Sequence, residues 1–167
     1  MADQAVTLAT ASSATNGKLL TRLSAEQTRE TGFTHRWRIP YDVINTSTWT
    51  TQGDTVTVTL GTTPTKFIVD KAAANVSTAF ATTGTLTMEV GTSSDTDNYI
   101  TATTVKTAAN IVTAAGAVPV TLVGSHGVAA VTLVARFNTQ AATGAPADIT
   151  AGSVDIYLAI RDVTNAN

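Results

Sequence analysis

The chain has 167 residues, a length that fits one domain and can bury a real core without disulfides or bound metal. Charged residues make up only 13%, against roughly 25% in an average soluble domain, hydrophobic residues 43%, and the formal net charge is -2. That balance excludes a disordered chain and a bulk-basic nucleic-acid binder, and the absence of cysteine excludes disulfide frameworks, thiolate zinc sites and cysteine nucleophiles.

Threonine, about a fifth of the chain, fills the place of the missing charges. Its β-branched side chain favours pleated strands and leaves a wet, nearly neutral surface. The opening MADQAVTLATASSATNG has neither a basic n-region nor an apolar h-region. No apolar run approaches the roughly 20 residues of a membrane-spanning helix. These features lead us to expect a protein made in a cytoplasm, without a membrane partner and without direct contact to nucleic acid.

Residues 1–31 read as an N-terminal arm, extended or partly helical, and 32–167 as a β-sandwich domain. ATASSATNG has nothing to bury. In the following LLTRLSAEQTRETG, Ser24 and Gln27 have the spacing of a capping box and Gly32 marks a stop, but no apolar stripe follows. Half of the basic residues, Lys18, Arg22, Arg29, Arg36 and Arg38, fall in this early segment beside Glu26 and Glu30, either as solvated ion pairs or as a docking surface for an acidic partner.

From Phe33 the period switches to two. Phe33, His35, Trp37 and Ile39 share one face and Thr34, Arg36 and Arg38 the other, until Pro40 breaks the ladder. The same alternation predicts strands at TVTVTLG, TKFIV, TLTMEV, PVTLV, VTLVARF and SVDIYLAI. KAAANVSTAFATTG is too rich in β-branched residues and too close to a glycine to make a good helix. The fold class predicted is all-β, an antiparallel, jelly-roll-like β-sandwich with an extended N-terminal arm. Phe33, Trp37, Phe67, Phe80 and Phe137 are expected in the core, and Tyr41, Trp49, Tyr99 and Tyr157 are the rings left for the surface.

Chemistry-bearing patterns are sparse. In GTSSDTDNYI, Asp95 and Asp97 take the first two positions of a calcium loop, but Ile100 stands where that loop needs glycine and Lys106 where it needs glutamate. A turn built by side chains that bond to nearby backbone is the expectation, with weak calcium binding as the alternative. His35 alternates with apolar residues and reads as a satisfied core-face histidine. His126 sits in the glycine-flanked GSHGV, without a nucleophile-elbow motif to make it a base for Ser125. No glycine-rich phosphate loop occurs. The sequence therefore predicts no enzyme, no cofactor and no metal.

The run IPYDVINTSTWTTQGDTVTVTLGTTPTKFIVD, followed by STAFATTGTLTMEVGTSSDTDNYITA and by VTLVARFNT and ADITAGSVDIYLAIRD, resembles the small β-structured virion proteins of tailed bacteriophages, in particular head decoration or capsid cement proteins. The resemblance spans about Arg38 to Val163 and rests on strand and turn patterns, so it transfers no individual residue's role. It implies a homotrimer on the outer surface of the virion, bound to the major capsid protein shell and stabilising it. The residues expected at that interface are Lys18, Leu19, Leu20, Arg22, Leu23, Arg29 and Trp49. The alternative is a carbohydrate- or receptor-binding module of a head fibre or tail appendage, with Trp49 and the long loop before Ile149 as its recognition elements.

Overall fold

Alternating burial organises the molecule. In Thr55–Thr62, Val56, Val58 and Leu60 are buried while Thr55, Thr57 and Thr59 between them are half-exposed, which is what a strand does when one face is dry and the other wet. The structure, a computed structural model, describes residues 3–7, 20–45, 53–107, 111–113, 129–139 and 149–163. In chain order its elements are β1 (Asp3–Thr7), β2 (Leu20–Arg22), α1 (Ala25–Thr31), β3 (His35–Pro40), α2 (Tyr41–Ile44), β4 (Thr55–Thr62), β5 (Phe67–Ala81), β6 (Leu86–Thr92), β7 (Ile100–Thr104), β8 (Ile111–Thr113), β9 (Thr132–Thr139) and β10 (Ala151–Asp162).

The described strands form two five-stranded sheets, ordered β1-β4-β9-β6-β7 and β2-β3-β10-β5-β8. From β3 onward the pairing runs first with last and works inward: β3 with β10, β4 with β9, β5 with β8, β6 with β7. The chain is thus one long hairpin, rolled so that successive pairs fall alternately in the two sheets. Rolling adds the ladders β5–β10 and β6–β9. The predicted all-β, antiparallel sandwich is what forms, with one exception among the described strands: β1 runs parallel to β4.

Between the sheets lies a single cluster to which both contribute. Val56, Val58, Leu60, Leu86, Met88, Val90, Leu133, Ala135 and Phe137 come from one sheet, and Trp37, Ile39, Val69, Val76, Phe80, Val154, Ile156 and Leu158 from the other. Each buried Val, Leu or Ile contributes roughly 1.5–3 kcal/mol of transfer free energy. The Phe80 and Phe137 rings meet across the gap at 6.0 Å between centroids. The segment KAAANVSTAFA, a poor helix on propensity, continues β5. The capping box at Ser24 and Gln27 closes α1, which ends at Gly32 and buries none of its residues. PVTLV, with Val120 and Leu122, lies outside the described residues.

Two aromatic expectations are corrected. Phe33 is not in the core: β3 begins only at His35, and the Phe33 ring turns to the outer face, 5.7 Å from the ring of Tyr157. Tyr99 is not a surface ring: it is 1% exposed, because its backbone N–H bonds to the Val90 carbonyl oxygen and pulls the ring under the loop it ends.

Candidate functional site

The loop Ser93–Tyr99 is built as a turn. Thr92 N–H bonds to the Asp95 carbonyl oxygen and Asp95 N–H to the Thr92 carbonyl oxygen, while the Thr92 hydroxyl also reaches Ser94. The loop lies so close over β6 that a Cβ on Gly91 would stand 2.1 Å from the Asp95 carbonyl oxygen and 2.7–2.8 Å from backbone atoms of Thr96 and Asn98. Only glycine fits beneath it. A hydrogen bond with Asp97 holds the Asp95 carboxyl above its ordinary range, with smaller contributions from desolvation and the neighbouring negative charges. Glu89 on β6 accepts from the Thr96 hydroxyl and pairs with Arg136, its direct register partner on β9, at 2.6 Å. Among the described residues no group of three His, Asp or Glu side chains is placed to hold a metal ion.

Tyr99 closes the loop with a buried hydroxyl that has no hydrogen-bond partner. Burial, helped by the Asp95 charge, pushes its phenol up to about 12 from an ordinary 10. Above pH 10 the unfolded chain releases this proton and the folded one keeps it, so stability is full below pH 10 and declines as pH rises toward 12. At 1.36 kcal/mol per tenfold change in proton affinity, the loss reaches about 3 kcal/mol. Urea unfolding of wild type and Tyr99→Phe at pH 9 and pH 11.5 checks this: the decline attributable to residue 99 is expected to vanish in the variant, and equal declines in both chains would contradict it.

His35 lies at one end of the sandwich, where its Nδ1 is 2.7 Å from the Thr34 hydroxyl and its ring stacks on Trp37 at 5.5 Å. Beside this pair opens a cavity of about 560 Å³, whose lining includes Leu60, Leu133, Ile160 and Asp162. The volume suits a small ligand, but the Trp37 ring is 2% exposed and its Nε1 donates to the Leu60 carbonyl oxygen at 2.8 Å. That ring is used to join the sheets, and no face of it is open for a sugar to stack on.

The outer face of the β2-β3-β10-β5-β8 sheet carries a different arrangement. Asp155, its side chain 4% exposed, accepts from Nε and an Nη of Arg36 (3.2 and 3.0 Å) and equally from Arg38 (3.0 and 3.2 Å). These bonds hold the Arg36 guanidinium further in its charged form, against the desolvation that opposes it. Arg36 then stands 6.0 Å over the ring of Tyr157, and the Phe33 ring packs against that ring in a tilted arrangement. Thr31, Phe33, Ala73, Asn75 and Tyr157 line a shallow hollow of about 230 Å³ at the end of α1. Tyr, Phe and Arg on an open, rigid sheet face make up the composition that protein interfaces favour.

The residues expected at an interface fall partly here. Leu20 and Arg22 lie in β2, opposite Trp37 and His35 of β3, with Thr21 opposite Arg36. Leu23 follows, half-buried, and Arg29 is exposed on the last turn of α1. The structure therefore brings Leu20, Arg22 and Leu23 to the edge of the sheet that bears the Arg36–Tyr157–Phe33 patch. Lys18, Leu19, Trp49 and His126 lie outside the described residues, as does most of the loop before Ile149. The patch itself escaped the sequence reading, although the lone exposed-parity Tyr157 in SVDIYLAI was a usable signal. No family model, no curated protein and no solved structure matches the chain.

Proposed function

We propose that this protein is a structural component of a tailed-bacteriophage virion, a head decoration or cement protein that binds the outer surface of the assembled capsid, as a homotrimer, and performs no chemistry of its own. The observation that carries the reading is the Arg36–Tyr157–Phe33 patch on the outer face of the sheet whose edge strand, β2, includes the arm residues Leu20 and Arg22. The rolled hairpin of β3 to β10 supports it, because we read this wiring as a jelly roll, an architecture shared by viral capsid and lectin domains. Fold alone does not separate those two classes, and Trp49, the ring on which the sugar-binding reading depends, lies outside the described residues. The mechanism is mass action: a protein that binds the closed shell and not its separated subunits stabilises the shell, and repetition over many equivalent sites multiplies modest contacts.

Virions of the encoding phage are expected to carry the chain in fixed ratio to the major capsid protein. Heads stripped of it should recover wild-type protein on co-sedimentation and recover a Phe33→Ala/Tyr157→Ala variant at least tenfold less well, with the variant's unfolding still cooperative. Absence of the chain from purified virions, or undiminished binding by the variant, would overturn the assignment. Specific glycan binding by the wild type would move it to the lectin class.

A further inference from the structure

We propose that β1 is an exchangeable strand, which completes the sheet of a second copy of this chain by pairing with that copy's β4 as it does with its own. The proposal needs only that copies meet, and it holds or fails independently of what shell they sit on.

Three observations lead to it. First, β1 is an edge strand held by one ladder of five residue pairs, Asp3–Thr7 against Thr55–Thr59, and that ladder is the only parallel one among the described strands. Apart from the short β2–β3 ladder, every other ladder among the described strands belongs to the rolled hairpin of β3 to β10, so β1 is an addition to a unit that closes without it. Second, what it covers is an edge: without β1, β4 presents a row of unpaired backbone donors and acceptors, a template for another strand. The same backbone bonds form whether the incoming β1 belongs to this copy or the next, so the choice rests on tether and local concentration.

Third, the tether is far longer than the gap it crosses. β1 ends at Thr7, opposite Thr59, and β2 starts at Leu20, opposite Trp37. Trp37 and Leu60 are joined by a 2.8 Å hydrogen bond, so these two ends stand at the same level of the sandwich. The gap is then about one sheet spacing, ~10 Å, which three or four residues span. Twelve residues, 8–19, connect them, with a reach of about 40 Å. That excess is enough for β1 to leave its own β4 and lie on a neighbour's.

The absence of native cysteine makes the test direct. Ala5 stands opposite Thr57, and adjacent strands lie about 4.8 Å apart, inside the ~4.4–6.8 Å between Cα atoms that a disulfide accepts. Two full-length chains with different tags, Ala5→Cys and Thr57→Cys, are refolded together at high concentration and oxidised. A covalent heterodimer is expected at least tenfold above the yield from Ala5→Cys mixed with Thr104→Cys, which places the second thiol on the opposite edge of the sheet. The doubly substituted chain, Ala5→Cys/Thr57→Cys, should give multimers on non-reducing gels. Heterodimer no more abundant than in the control, a doubly substituted chain closed only on itself, or no disulfide at all would each overturn the proposal.

Discussion

Gly152→Ala is expected to lower stability by about 4 kcal/mol, enough to unfold most of a marginal domain at 37 °C. Gly152 is buried at an irregularity in the β5–β10 ladder, between the pairs Ala151–Ala81 and Ser153–Thr78, with φ of 137°. A side chain in that backbone region costs about 1–3 kcal/mol of strain. The added Cβ would also stand 2.4 and 2.5 Å from ring carbons of Phe80 and 2.7 Å from its Cα. The ring cannot swing clear, since it is 1% exposed and packed against Phe137 in the facing sheet, and forcing an extra methyl into such a core costs about 1–3 kcal/mol more. Urea unfolding measures the sum. Phe80→Ala alone should cost about 3–5 kcal/mol, and the double variant less than the two single losses added, because removing the ring removes most of the overlap. A loss below about 1 kcal/mol for Gly152→Ala would mean that Phe80 does not sit over this backbone.

That glycine shows where a sequence stops being readable. Val154, Ile156 and Leu158 announce a strand and its buried face by their spacing, and the same holds for Val56, Val58 and Leu60 or Leu86, Met88 and Val90. The irregularity at Gly152 is invisible to a period-two pattern, because it arises from which residue of β5 lies opposite, and that partner is some 70 positions away. Phe33 and Tyr99 went astray for a related reason. Parity predicts a face only inside a strand; Phe33 precedes β3 and Tyr99 precedes β7, so their directions follow from a helix cap and a loop instead.

The surface patch was less accessible still. Arg36 and Arg38 were correctly placed on the face opposite Trp37, but their common partner Asp155 lies 119 and 117 positions along the chain. Two arginines two apart on a strand read as solvated charge until the ladder brings an aspartate between them. Phe33 and Tyr157 likewise have no sequence relation; the ladder of β3 with β10 creates theirs. Alternation tells which residues face out, and pairing alone tells which of them meet.

Asp155→Ala is the second large effect, about 3 kcal/mol, and it separates a hub from a pair of ordinary surface bridges. Loss of one partner from a buried ion pair costs about 3–5 kcal/mol, but here the stranded partners are half-exposed, Arg36 at 33% and Arg38 at 40%, so water recovers part of that. What remains is the loss of four charge-assisted hydrogen bonds and the mutual repulsion of two guanidiniums on one face. Arg36→Ala or Arg38→Ala should each cost about 1 kcal/mol, because the carboxylate keeps the other arginine. Denaturant unfolding in low salt and in 1 M NaCl distinguishes the contributions, since screening reduces the repulsion in Asp155→Ala and leaves the missing hydrogen bonds unrepaired. The same variant should weaken partner binding beyond its loss of stability, because Arg36 released from Asp155 no longer stands over the Tyr157 ring. If Asp155→Ala costs no more than either single arginine substitution, the carboxylate does not organise this face, and the docking role proposed for the patch loses its support.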